Sequence, residues 1–454
     1  MKTLHSNFIV LCLAGCWLVL SGCGNRVETH IRKLGGNADN RKAAMMELTM
    51  VKDQDVPVIL QAVQDNNQPV AVRIDLITVL SRLLLRGGHA EIYQVFNILF
   101  HDPDPDIRKA VIRAFGDLQK EDGIKPLLAA LKDSDPEVQN EALIGLDKVE
   151  DKIKEDDLPV LMKSAQDICA KTKNDVKQAE LYDKALQALE SGAEKMAQQA
   201  DKLVLSGQLK EAEACLAEVL AWVPDSKNIN YKFGRFHCDN GRKEKGLAML
   251  AKYGLLLRLK KFTAAPVLNG DLSDPCWEQA ARITNFYQCI NVMSAKLIEG
   301  KSDIRVGYTD AAIYIAYKAC EPSTKGIKYA TKIRDGNVWA DDCIEIFFDP
   351  KHDYKTFYQF CINALGAIYD SNASKNGTVW NAKVEVCPKV MPDFWALEIK
   401  IPFKDLGVDA IIPGAIFGFN VATVRIGNSS EYGQWTPTYG AAQRPERFGF
   451  LLFE

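Results

Sequence analysis

No strong charge of either sign marks this 454-residue chain: 56 lysines and arginines stand against 59 aspartates and glutamates, a formal charge of −3. A protein built to hold phosphate backbones should be basic, so nucleic acid is excluded as the principal partner. Histidine is scarce, and His30, His89, His101, His237 and His352 form no ligand spacing. No Cys-x-x-Cys pair occurs either, so a zinc site has no support. Beyond residue 23 no apolar run reaches the length of a membrane span, and the mature chain is expected to be soluble. With 47% hydrophobic and 25% charged residues, the composition also excludes wholesale disorder and a collagen-like fibre.

What is present begins with a thirteen-residue apolar run, residues 8–20, behind Lys2. It is too short to span a bilayer as a helix and suits the hydrophobic region of a signal peptide. It ends in Leu20-Ser21-Gly22-Cys23, which resembles a bacterial lipobox. Residues 1–23 therefore read as a lipoprotein signal peptide, with the Cys23 thiol as the lipidation site. A second match ends at Cys16 but leaves a shorter apolar stretch. Gly24, not Asp, follows Cys23, which directs the expectation to the outer membrane, on either face. Nine cysteines lie beyond Cys23, so at least one is unpaired within the chain. Export permits disulfides, while their scattered spacing reads as small buried residues.

Residues 24–153 repeat a helix–turn–helix pattern. Residues 101–118 align with 132–149 at an offset of 31, as Ile107 and Val138 show. Each copy starts at an Asp-Pro corner that should cap a helix, and Ile107, Val111 and Phe115 fall on one face. Asp102, Asp104 and Asp106 belong to that capping turn and lack the glycine and glutamate of an EF-hand. The segment resembles HEAT repeats, which bury their apolar faces only by stacking into a solenoid. Residues 154–262 carry Gly207 and Gly241 at an offset of 34 and resemble tetratricopeptide units. Both segments read as spacers or as surfaces for a protein partner.

From residue 263 the period changes. Strand-like alternation appears at 303–308, 312–317, 343–348, 357–362, 395–401 and 417–421, and five of the seven tryptophans lie here. The fold class is thus an α-helical solenoid followed by an antiparallel β-sandwich. The turn leading to Trp277, the hairpin at 306–316, the stretch 338–350 and the closing Arg447-Phe448-Gly449 occur in a telling order. Residues 263–454 resemble the carbohydrate-binding module family 9 domain.

That resemblance implies a sugar held by stacking on aromatic rings and by planar polar groups. Its first stacking tryptophan falls on Trp339 and its hydrogen-bonding glutamate on Glu345. Cys361 stands where relatives carry an arginine. Ala442 or Gln443 stands where they carry a second tryptophan, leaving Tyr439 as the substitute platform and Arg444 as a donor. Some relatives also hold a structural calcium, for which the Asp341-Asp342 pair is the candidate; no other cofactor is expected. Trp277, Trp395 and Trp435 read as core.

No pair of carboxylates across a cleft and no Ser-His-Asp arrangement is legible, so no enzyme is expected. The reading is a non-catalytic lipoprotein of the cell envelope that binds an oligo- or polysaccharide through its sandwich. The alternative is an envelope scaffold whose helical repeats meet a protein partner and whose sugar module is degenerate.

Overall fold

The computed structural model describes residues 24–87, 89–288, 296–373 and 380–454; Cys23 and Cys289 lie outside the described residues. The chain divides into two compact units. The first holds the helices before residue 160 together with 170–184; the second holds 161–169 and 185–454.

In the first unit, α1 (Gly24–Leu34), α2 (Ala38–Thr49), α3 (Val56–Gln64), α4 (Val70–Arg86), α5 (Ala90–Leu99), α6 (Pro105–Leu118), α7 (Ile124–Ala130) and α8 (Pro136–Lys148) follow one another across short turns. The Asp-Pro corners cap as their chemistry requires. Asp104 accepts the Asp106 amide at 2.8 Å, and Asp135 accepts those of Glu137 and Val138, each with proline at the start of its helix. Ile107, Val111 and Phe115 are buried. A Cβ on Gly116 would lie 2.7 Å from the Gly145 Cα, so this glycine pair sets how closely α6 approaches α8. Ion pairs link alternate helices and their turns: Arg41 of α2 with Asp75 of α4, Arg73 of α4 with Asp102 in the turn before α6, Arg108 of α6 with Asp133 in the turn before α8, and Arg113 of α6 with Glu141 of α8.

The second unit takes the middle of α9 (Leu158–Thr172), most of α10 (Ala179–Leu205), then α11 (Leu209–Trp222), α12 (Lys227–Asp239) and α13 (Lys243–Lys252), followed by all the strands. Helices α12 and α13 pack closely because Gly246 carries no side chain: a Cβ there would fall 2.4 Å from the Gly234 carbonyl oxygen.

The strands are β1 (Leu256–Leu259), β2 (Ala281–Ile283), β3 (Tyr287–Gln288), β4 (Lys296–Leu297), β5 (Ser302–Tyr308), β6 (Ala312–Cys320), β7 (Cys343–Asp349), β8 (Tyr358–Asn363), β9 (Ile368–Asn372), β10 (Glu385–Val390), β11 (Phe394–Pro402), β12 (Ile416–Arg425), β13 (Glu431–Gln434) and β14 (Gly449–Phe453). The larger sheet runs β4-β3-β13-β12-β7-β8-β9, with β14 on β12 and β1 on β14; the smaller runs β10-β11-β6-β5-β2. Strand alternation sends Ile344, Ile346 and Phe348 inward to meet Ile315, Tyr317, Leu397 and Ile399 of the facing sheet. Trp277, Trp395 and Trp435 are buried, as expected.

Two expectations need revision. Strand β1 lies on the helical side of residue 263, yet it pairs with β14 in parallel from Leu256–Phe450 to Leu259–Phe453. Nor is the helical segment of this unit a free spacer. Tyr231, Leu247 and Leu250 bury Phe450 and Leu452 of β14, and the Tyr231 hydroxyl donates to the Phe448 carbonyl at 2.8 Å. Exposing those side chains again would return several apolar groups to water, at about 1.5–3 kcal/mol each.

Candidate binding face

The larger sheet turns one face to the core and the other outward. On the outward face, strand register places Tyr369 of β9, Cys361 of β8, Glu345 of β7, Ala422 of β12 and Gln434 of β13 in one row. At about 4.8 Å per strand, Tyr369 and Glu345 stand about 10 Å apart. The intervening Cys361 is fully buried, packed with Val338, Cys343 and Val424.

Trp339 stands on the loop before β7, in a single 3-10 turn, Val338–Ala340. Val338 is buried against Cys343, Cys361 and Val424, and this plug fixes the turn. The Trp339 ring meets Tyr369 edge-on, with centroids 4.9 Å apart, and remains 45% exposed. A partly exposed indole held by a buried neighbour is a preformed apolar platform.

Asp341 and Asp342 hold that loop down. Asp341 accepts the amides of Ala330 and Thr331 at 3.0 and 2.8 Å, and the Asn363 side-chain amide at 3.0 Å. Burial opposes its charge, but the donors of Thr331, Asn363 and Ala330 outweigh burial and hold the carboxyl below its usual value. Asp342 accepts from Lys328, Ile426 and Gly427. Four carboxylate oxygens facing N–H donors do not fit a cation, so the pair considered for a structural calcium anchors the loop; among the described residues no group of three or more His, Cys, Asp or Glu could hold a metal ion.

Glu345 is 7% exposed on this outward face. Its partner is one the sequence reading missed: the Tyr432 hydroxyl donates to Glu345 Oε2 at 3.0 Å. Burial pushes the Glu345 carboxyl up, and the Tyr432 bond offsets part of that. Tyr432 also packs against the cluster of Phe347, Ala442 and Phe448 and against that of Val338, Cys343 and Cys361. Alternation in Glu431-Tyr432-Gly433-Gln434 was the available signal, since β12 pairing turns its even-numbered residues outward.

The other expected contacts sit elsewhere. Ala442 is buried and Gln443 exposed. Tyr439, at φ 56, lies near the Arg447 guanidinium, 5.6 Å away, and lines a small cleft with Lys227, Asn228 and Tyr231 of α12. Arg444 donates to Glu446 at 2.9 Å and to the Thr438 carbonyl at 3.0 Å, and lines a cavity of about 490 Å³ beside α10 and α12. The structure thus brings Trp339 and Glu345 to one face and places Tyr439 and Arg444 against the helices. Cys361, in place of an arginine, lies with its Sγ 3.3 Å from that of Cys343.

Among the described residues, no helix is long and apolar enough to cross a membrane. Residues 92–179 match the family described as HEAT repeats. Residues 268–454 match the family described as Carbohydrate family 9 binding domain-like. No curated protein matches the chain. Among solved structures, a carbohydrate binding module family 9 from Caldicellulosiruptor kristjanssonii in complex with cellotriose is 18% identical, with 44% of this chain aligned to 93% of that one and a TM-score of 0.34. The same module in complex with glucose is also 18% identical, over 43% of this chain and 95% of that one, at a TM-score of 0.33. For the helices, a subunit in the complex of CpcE and CpcF of phycocyanin lyase from Nostoc is 19% identical over 36% of this chain and 98% of that one, with a TM-score of 0.28. The chain therefore carries HEAT repeats and, C-terminal to them, a carbohydrate family 9 binding-like β-sandwich.

Proposed function

We propose that the protein is a non-catalytic glycan-binding lipoprotein of the bacterial envelope, holding a saccharide on the outward face of its larger sheet. The observation that carries this is the half-exposed Trp339, packed on Tyr369 in the same row of the outward face as the buried carboxyl of Glu345, in a segment that matches a carbohydrate-binding family. The C–H face of a pyranose stacks on the indole, and the sugar hydroxyls reach the exposed edge of Glu345. One platform and few polar contacts favour weak binding, with Kd between about micromolar and millimolar. The lipobox-like ending at Cys23 supports attachment to the outer membrane by lipid.

The test is titration calorimetry of residues 24–454 against a panel of oligosaccharides, repeated with Trp339→Ala. We expect at least about a tenfold loss of affinity in the variant with an unchanged melting temperature, because the indole is already 45% in water. Undiminished binding by Trp339→Ala removes this site. An absence of binding to every saccharide favours the scaffold reading, in which the helical surfaces meet a protein partner. Lipid attachment is checked separately by labelling with a radioactive fatty acid, which Cys23→Ala should abolish.

A further inference from the structure

We infer that this face selects sugars bearing a protonated amine, and that Glu345 is the specificity-determining residue; the inference rests on the glycan reading above. The outward positions of β7, β8, β9, β12 and β13 carry no lysine or arginine, and the register neighbours of Glu345 are Cys361 and Ala422. No ion pair reaches Glu345 among the described residues. Its one hydrogen bond there is the neutral Tyr432 hydroxyl on Oε2, and Oε1 accepts none. Glu345 nevertheless retains 7% of its surface, so a ligand group can touch it from the outward face.

A carboxylate in that setting has lost most of its water and gained little in return. A sugar hydroxyl supplies a second neutral hydrogen bond. A sugar ammonium supplies a charge-assisted one, about twice as strong, where solvent screens poorly. N-acetylation removes the charge, and a uronate is repelled. The same face therefore ranks the three sugar chemistries by charge, while Trp339 treats their ring faces alike.

The other titratable groups of this face do not compete. The Cys343 and Cys361 thiols are pushed up by burial and stay neutral. Tyr369 and Tyr432 are phenols, and Asp341 is held by its amide donors. Asp341 has both carboxylate oxygens taken by N–H donors, so Glu345 is the carboxyl of this face left open to a ligand.

The experiment is calorimetry of residues 24–454 with β-1,4-linked trimers of glucosamine, N-acetylglucosamine and glucose, in low salt at about pH 6, where a sugar amine is charged. The glucosamine trimer should bind about tenfold tighter than the other two. Glu345→Gln should erase that advantage without abolishing binding, and added salt should reduce it. Should that variant fail to fold, the wild-type pH profile decides: the affinity of the glucosamine trimer falls as its amine is neutralised, while that of the glucose trimer stays level. Equal binding of all three trimers, sensitive to Trp339→Ala, overturns amine selection and leaves the glycan reading standing. No binding by any trimer overturns amine selection, and the glycan reading is then decided by the wider oligosaccharide panel.

Discussion

Arg73 and Asp102 show what one pair of residues can carry. Both are buried, at 5% and 8% exposure, with Arg73 Nη2 2.5 Å from Asp102 Oδ2 and Arg73 Nε donating to the Val63 carbonyl at 2.8 Å. Removing one charge strands the other, which costs about 3–5 kcal/mol. Urea denaturation of Arg73→Ala should show a loss of that size in the helical unit, and Arg73→Met with Asp102→Leu should recover most of it. Asp341 is the corresponding residue at the candidate site. Asp341→Ala orphans the donors of Ala330, Thr331 and Asn363, at about 1–3 kcal/mol for each buried group. Faster hydrogen exchange at Ala330 and Thr331, together with weaker glycan binding, is the expected outcome. Trp339 was legible as a candidate because the family that residues 263–454 resemble carries a stacking tryptophan just before its acidic strand. Tyr432 was not, because its value lies in a partner 87 positions away in sequence.

At the scale of elements, β1 decides where the sandwich begins. Its parallel register with β14 is extended by Phe450 N–H to the Leu255 carbonyl and Glu454 N–H to the Leu259 carbonyl, both at 2.9 Å. Leu257 and Leu259 also enter the sandwich core. A fragment starting at residue 263 loses those two leucines, at about 1.5–3 kcal/mol each, and exposes β14 as an open edge. Scanning calorimetry should place it about 10 °C below a fragment starting at residue 253, and light scattering should show it aggregating. The six strands expected from alternation correspond to β5, β6, β7, β8, β11 and β12. Strands β1 and β13 went unseen, because four residues give too short a pattern for periodicity to register.

For the molecule as a whole, buried titratable groups in the second unit set how stability follows pH. Burial pushes His237 and His352 down to about 4 from 6.5. Their contribution is complete above about 6.5 and lost as the pH falls toward 4. Glu190 runs the other way: burial raises its carboxyl from 4.5 to about 7, against the opposing hydrogen bond from Ser226. Its contribution is complete below about 4.5 and lost as the pH rises toward 7. Two histidines outweigh one glutamate, so the thermal midpoint of this unit should fall on acidification from pH 7 to 4. Glu190→Gln should steepen the fall, its midpoint lying above wild type at pH 7 and meeting it near pH 4. Parallel curves for the two proteins would show that Glu190 is not held as described.

The sequence by itself determined the order of helical repeats and sandwich, the capped Asp-Pro corners, the inward tryptophans and the pairing of Trp339 with Glu345 as candidates. Each of these depends on a local period or on a short motif, which neighbouring residues carry on their own. Tertiary structure alone decided that Asp341 and Asp342 anchor a loop and hold no cation, and that Tyr432 bonds Glu345. It also turned Tyr439 and Arg444 toward the helices and brought β1 and β14 together from opposite ends of the sandwich. The reason is physical: hydrogen bonding and burial depend on which groups are neighbours in space, and these partners are joined by sheet register and helix packing across 10 to over 200 residues of chain.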